Sequence, residues 1–101
     1  MAVDSEGFLR QLKDWSPEVA EQIAVAEGIR LTSDHWELIS LVRDYYQQKE
    51  LTLPMRPLVN LVLRELGSEK GRSIYLLKLF PGSPAKLINK IAGLPKPSNC
   101  I

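Results

Sequence analysis

The side chains of this chain that could do chemistry are few, and the most reactive stands at one end. Residues 93–101 read GLPKPSNCI, with the single cysteine of the chain, Cys100, next to last and two prolines, Pro95 and Pro97, before it. A buried structural cysteine belongs inside a core, and a disulfide needs a second cysteine, which the sequence lacks. A free thiol has a pKa of about 8.5, so only about a few per cent is thiolate at neutral pH. The terminal carboxylate disfavours thiolate slightly, Lys96 favours it slightly, and no histidine or helix start lies close in sequence. Cys100 therefore suits a group carried into another protein's site, where that partner supplies the activating charge. The bland alternative is an incidental terminal cysteine. The proline spacer and the lack of other thiols weigh against it.

The prolines fix φ near −65° and hold the residues before them extended. The LPKP segment is thus expected to favour polyproline II, and the seven steps from Gly93 to Cys100 to reach about 20 Å at ~3.1 Å each. Gly93 is expected to act as a pivot. A stiff arm loses less entropy on docking than a Gly/Ser tail. The division expected is a body, residues 1–93, and an extended flexible arm, residues 94–101. Lys86, Lys90 and Lys96 lie near the base of this arm, and Lys86 and Lys90, four apart, share a helix face. They form either a solvated face or a docking patch for an acidic partner surface. The partner-binding candidates are therefore Gly93, Pro95, Lys96, Pro97, Lys86 and Lys90, with Cys100 as the reactive group.

Other reactive types offer less. His35, the only histidine, falls on an apolar helix face near its start, as a packed or capping residue does. It has no companions for a metal site, and neither metal nor cofactor is expected. Trp15, Trp36, Tyr45 and Tyr46 read as core or core-edge residues; a base-stacking platform would set them exposed beside basic residues.

These groups must be positioned by one small domain of 101 residues, 45% of them apolar and 25% charged. A net charge of +1 gives no global attraction to nucleic acid or an anionic membrane. No apolar run is long enough to span a bilayer, and the opening MAVDSEGF lacks the basic and apolar regions of a signal peptide. A cytoplasmic protein is expected, in which a lone thiol stays reduced.

The elements follow from start and stop signals. Residues 1–14 read as an extended lead-in. Ser16 and Pro17 open a helix that Gly28 closes. Thr32 opens the strongest helix, with His35, Leu38, Ile39, Val42, Tyr45 and Tyr46 on one face. Leu58, Leu61, Val62 and Leu66 mark a third helix that begins near Pro57 or is distorted there. Ser73 is expected to cap a fourth, stopped by Pro81 and Gly82, and Ser83 to cap a fifth with Pro84 at its first position. The fold class is mainly α: a compact bundle of about five short helices, with room for a residual N-terminal β-hairpin, and the extended arm.

The stretches GFL, DW, EVAE, AEGI, HWE, RDYY, EKGRSIYLLKLFPGSPAK and KIAGLPKP, with the penultimate cysteine, resemble the DsrC/TusE family over residues 7–101. The resemblance implies a sulfur carrier that accepts sulfur as a persulfide on Cys100. Members acting in dissimilatory sulfur metabolism carry a second cysteine in the last helix. Here Asn89 precedes Lys90, so the disulfide chemistry of that branch is unavailable. The single-thiol branch that this sequence resembles takes sulfur from a TusBCD-type donor complex and passes it to an MnmA-type thiouridylase. The product is 2-thiouridine at the tRNA wobble position, with the tRNA held mainly by the acceptor. The chain departs from the family pattern at Pro57, at Arg72, at Ile74 (where an arginine is usual) and at Ser83 (where a glycine is usual). These changes bear on partner identity. The alternative is a non-catalytic subunit or regulator of sulfur metabolism that docks through its arm. DNA binding is disfavoured by the near-neutral charge and the lack of a basic recognition helix.

Overall fold

The start and stop signals in the sequence set most of the helix ends. The computed structural model describes residues 3–97, in which five α-helices follow a short N-terminal segment. Helix α1, Pro17–Ala26, starts where the Ser16 hydroxyl accepts the Val19 N–H at 3.2 Å. Helix α2, Ser33–Lys49, starts in a reciprocal capping box between Thr32 and His35. Helix α3, Met55–Leu66, takes Pro57 as its third residue. An N–H at that position would have no partner within the helix, so the proline removes no ladder bond.

Helix α4, Ser73–Leu79, and helix α5, Pro84–Ile91, differ from expectation at their caps. Arg72 is the N-cap of α4, which makes Ser73 the first helical residue. Ser83 is the N-cap of α5, but its hydroxyl makes no capping bond. Pro84 starts that helix instead, through its preset φ.

The core gathers around α5, which packs against α1, α2, α3 and α4. Pro84, Ala85, Ile88, Asn89, Lys90 and Ile91 of its eight residues are buried. Because the helix is covered on nearly all sides, its polar members need partners inside: Asn89 donates to the Ala85 carbonyl and Lys90 pairs with Glu27. Leu38 and Ile39 of α2, Leu58 and Val62 of α3, and Leu76 and Phe80 at α4 close over it.

The N-terminal segment belongs to the body as well. Phe8 and Leu9 are buried, and Val3 and Leu9 form an isolated antiparallel bridge. No strand forms among the described residues, so this bridge is all that they contain of a hairpin. A 3₁₀ turn, Leu12–Asp14, then leads to Trp15. Among the described residues no helix is long and apolar enough to cross a membrane.

Candidate functional site at the base of the arm

Helix α5 ends in a Schellman motif, and that motif is where the arm begins. The Gly93 N–H donates to the Lys90 carbonyl at 3.1 Å, and the Leu94 N–H to the Asn89 carbonyl at 2.9 Å. Gly93 has a φ of 74°, the left-handed conformation that the motif requires. Leu94, the first residue of the arm, is only 4% exposed.

Two side chains from distant elements close on this turn. Trp15 donates its indole Nε1–H to the Ile91 carbonyl at 2.9 Å. Arg43 of α2 donates from Nη1 to the Ala92 carbonyl at 2.7 Å. The Arg43 guanidinium lies 3.7 Å over the centre of the Trp15 ring. Carbonyls left over at the end of α5 thus find donors outside it. Burial pushes the Arg43 pKa down, and the Asp44 charge opposes the shift. Arginine stays cationic under either influence. The indole also fills the space beside Gly93: a Cβ there would sit 2.3 Å from Trp15 Cδ1.

The arm then runs along the body. Pro95 and Lys96 are exposed and Pro97 is buried. Lys96 Nζ lies 3.0 and 3.1 Å from the two carboxylate oxygens of Glu6, and Lys86 Nζ lies 3.2 Å from one of them. Glu6 sits in a turn held by Asp4, whose carboxylate accepts the Glu6 and Phe8 N–H groups at 2.9 and 3.0 Å. The hydrogen bonds from Lys96 and then Lys86 hold the Glu6 carboxyl below its ordinary value. On the inner side, Lys90 donates to Glu27 at 3.0 Å, with its ammonium 5.4 Å from the centre of the Phe8 ring.

The residues singled out from sequence thus fall into three groups. Gly93 is a locked cap and not a free pivot. Lys86 and Lys96 share one glutamate at the surface, whereas Lys90 is enclosed, its side chain only 7% exposed. Cys100 lies outside the described residues. The resemblance puts the second cysteine of other members in the last helix, close to or directly beside the KIAG segment; the residue beside it here, Asn89, is 1% exposed. Its Nδ2 donates to Ala85 at 2.8 Å, while its Oδ1 has no partner among the described residues.

Sequence reasoning missed Arg43, Glu6 and Glu27, and it read Trp15 only as core or core edge. The available signal was slight: Arg43 follows Val42 on the border of the apolar face of α2. His35 takes no part in the site. Its Nδ1 accepts the Thr32 N–H at 3.1 Å, and its Nε2 donates to the Leu79 carbonyl at 2.8 Å, as a capping and packing histidine does.

The comparisons with known proteins agree with one another. The family model described as DsrC like protein matches residues 1–101. Sulfurtransferase TusE of Buchnera aphidicola subsp. Acyrthosiphon pisum is 50% identical over 98 residues, covering 97% of this chain and 86% of the relative. Sulfurtransferase TusE of Salmonella typhimurium is 46% identical over 101 residues, 100% of this chain and 93% of the relative. Among solved structures, Allochromatium vinosum DsrC superposes with a TM-score of 0.90 at 45% identity, covering 99% of this chain and 89% of that one. The oxidized gamma-subunit of the dissimilatory sulfite reductase (DsrC) from Archaeoglobus fulgidus gives 0.83 at 38% identity, covering 99% and 91%. A helical body closed around α5, a KIAGLPKP segment anchored on it and a match along the whole length lead to one conclusion: the chain belongs to the DsrC-like family.

Proposed function

We propose that this protein is a sulfurtransferase of the relay kind, with Cys100 as the carrying residue. The observation that carries the reading is the near-full-length identity to relatives named sulfurtransferase TusE, joined to a single cysteine next to last in the sequence. In the first step the Cys100 thiolate attacks the outer sulfur of a donor persulfide. The donor's S–S bond breaks, its own thiolate leaves, and Cys100 becomes a persulfide with no net change in oxidation. The second step repeats this exchange, with an acceptor's cysteine thiolate as nucleophile and Cys100 as leaving thiolate. The donor fits a TusBCD-type complex. The acceptor fits an MnmA-type thiouridylase that makes 2-thiouridine in tRNA and binds the tRNA itself.

Intact-mass analysis after incubation with a sulfur donor tests the first step. An added mass of about 32 Da, one sulfur atom, is expected on the parent and not on Cys100→Ser. No addition on the parent, or an equal addition on the variant, removes Cys100 from the role. A second reading is favoured by one observation: a structural relative is named as a subunit of dissimilatory sulfite reductase. A non-catalytic subunit that docks by its arm would keep its function in Cys100→Ser and lose it on deletion of residues 94–101.

A further inference from the structure

We propose that Trp15 and Arg43 are positioning residues for the arm, setting the direction in which residues 94–97 leave α5. The proposal rests on the relay reading and goes beyond it, because neither side chain belongs to the arm or to its chemistry. Trp15 precedes α1 and Arg43 lies in α2. They come from 76 and 49 positions away in sequence to bond adjacent carbonyls, those of Ile91 and Ala92. The guanidinium stacked at 3.7 Å over the indole makes them one unit. That unit lies against the Cα of Gly93, where even a methyl group would collide. The next N–H, of Leu94, is bonded back to Asn89. The Ile91 and Ala92 carbonyls and the Gly93 and Leu94 N–H groups are therefore all engaged at the point where the arm leaves α5.

A chain end launched in a fixed direction has less freedom to lose when it enters a partner's site. Loss of the clamp should leave the thiol's own reactivity unchanged and weaken productive docking.

Amide hydrogen exchange, read residue by residue, tests the clamp without any sulfur chemistry. In Arg43→Met, which keeps an apolar stem beside the indole, Leu94 exchange is expected to rise at least about tenfold, while the α2 and α3 core amides change far less. Arg43→Lys, which keeps a cationic donor, is expected to restore part of the protection. Leu94 exchange that is unchanged, or that rises only in step with the α2 and α3 amides, overturns the clamp.

Sulfur transfer then reads its purpose. Loading of Arg43→Met from a small-molecule persulfide is expected to match the parent, while the KM for delivery to a thiouridylase rises about tenfold at unchanged kcat. An unchanged KM overturns the positioning role. A parent protein that delivers no sulfur to any such acceptor overturns the relay reading instead, and the exchange contrast still decides the clamp.

Discussion

Gly28 and Gly93 have almost the same backbone angle, φ 75° and 74°, in very different surroundings. A Cβ on Gly28 would meet nothing within 4 Å, whereas one on Gly93 would meet the Trp15 ring at 2.3 Å. Gly28→Ala should therefore lose only the left-handed penalty, about 1–2 kcal/mol. Gly93→Ala should lose that and a further ~1–3 kcal/mol of overpacking. Urea midpoints of the two variants measure the difference, and equal losses would show that the indole yields freely. Glu6 gives a second residue-scale expectation. Its carboxyl pKa is lowered from 4.5, chiefly by the hydrogen bond from Lys96 and then by that from Lys86. A depressed folded value means that the tie is fully present above the unfolded pKa and is lost as pH falls through the folded one. In a carboxyl NMR titration Glu6 should thus titrate below 4.5, and the Lys86→Met/Lys96→Met double variant should bring it back toward that value.

At the scale of elements, the caps separate two serines that look alike in sequence. Each precedes a proline that starts a helix, but only Ser16 accepts a capping bond. Ser16→Ala should cost about 1 kcal/mol, and Ser83→Ala less than about 0.5 kcal/mol, by thermal or urea denaturation. Helix positions were legible because their signals are local. Ser16–Pro17, Thr32 with His35, Gly28 and Pro81–Gly82 each act within a turn or so. The site was less legible because its bonds are not. Nothing near Arg43 announces a bond to Ala92, 49 positions on, and nothing near Glu6 announces Lys96, 90 positions on. The lysine docking patch failed to anticipate those glutamates for the same reason: spacing reports which side chains share a face, and says nothing of what lies across from it. Gly93 was expected to be free because sequence shows the absent side chain and not the indole that fills its place.

For the whole molecule, the decisive fact is that one short helix touches the other four. Ile88 is 0% exposed, and truncating such a residue to alanine costs about 2–5 kcal/mol. That is a large part of the roughly 5–15 kcal/mol that stabilises a small domain. Ile88→Ala should therefore lower the urea midpoint sharply. Transitions followed by circular dichroism and by tryptophan fluorescence should stay coincident, since α5 ties the other four helices into one core. Separated transitions would reveal a sub-structure that stands alone. The order of synthesis adds a consequence. The helix on which the other four close is the last of the five to leave the ribosome. Until then the growing polypeptide presents the oily sides of four helices with nothing to seat them on, so a stall before residue 84 should yield a nascent chain that chaperones hold and proteases cut.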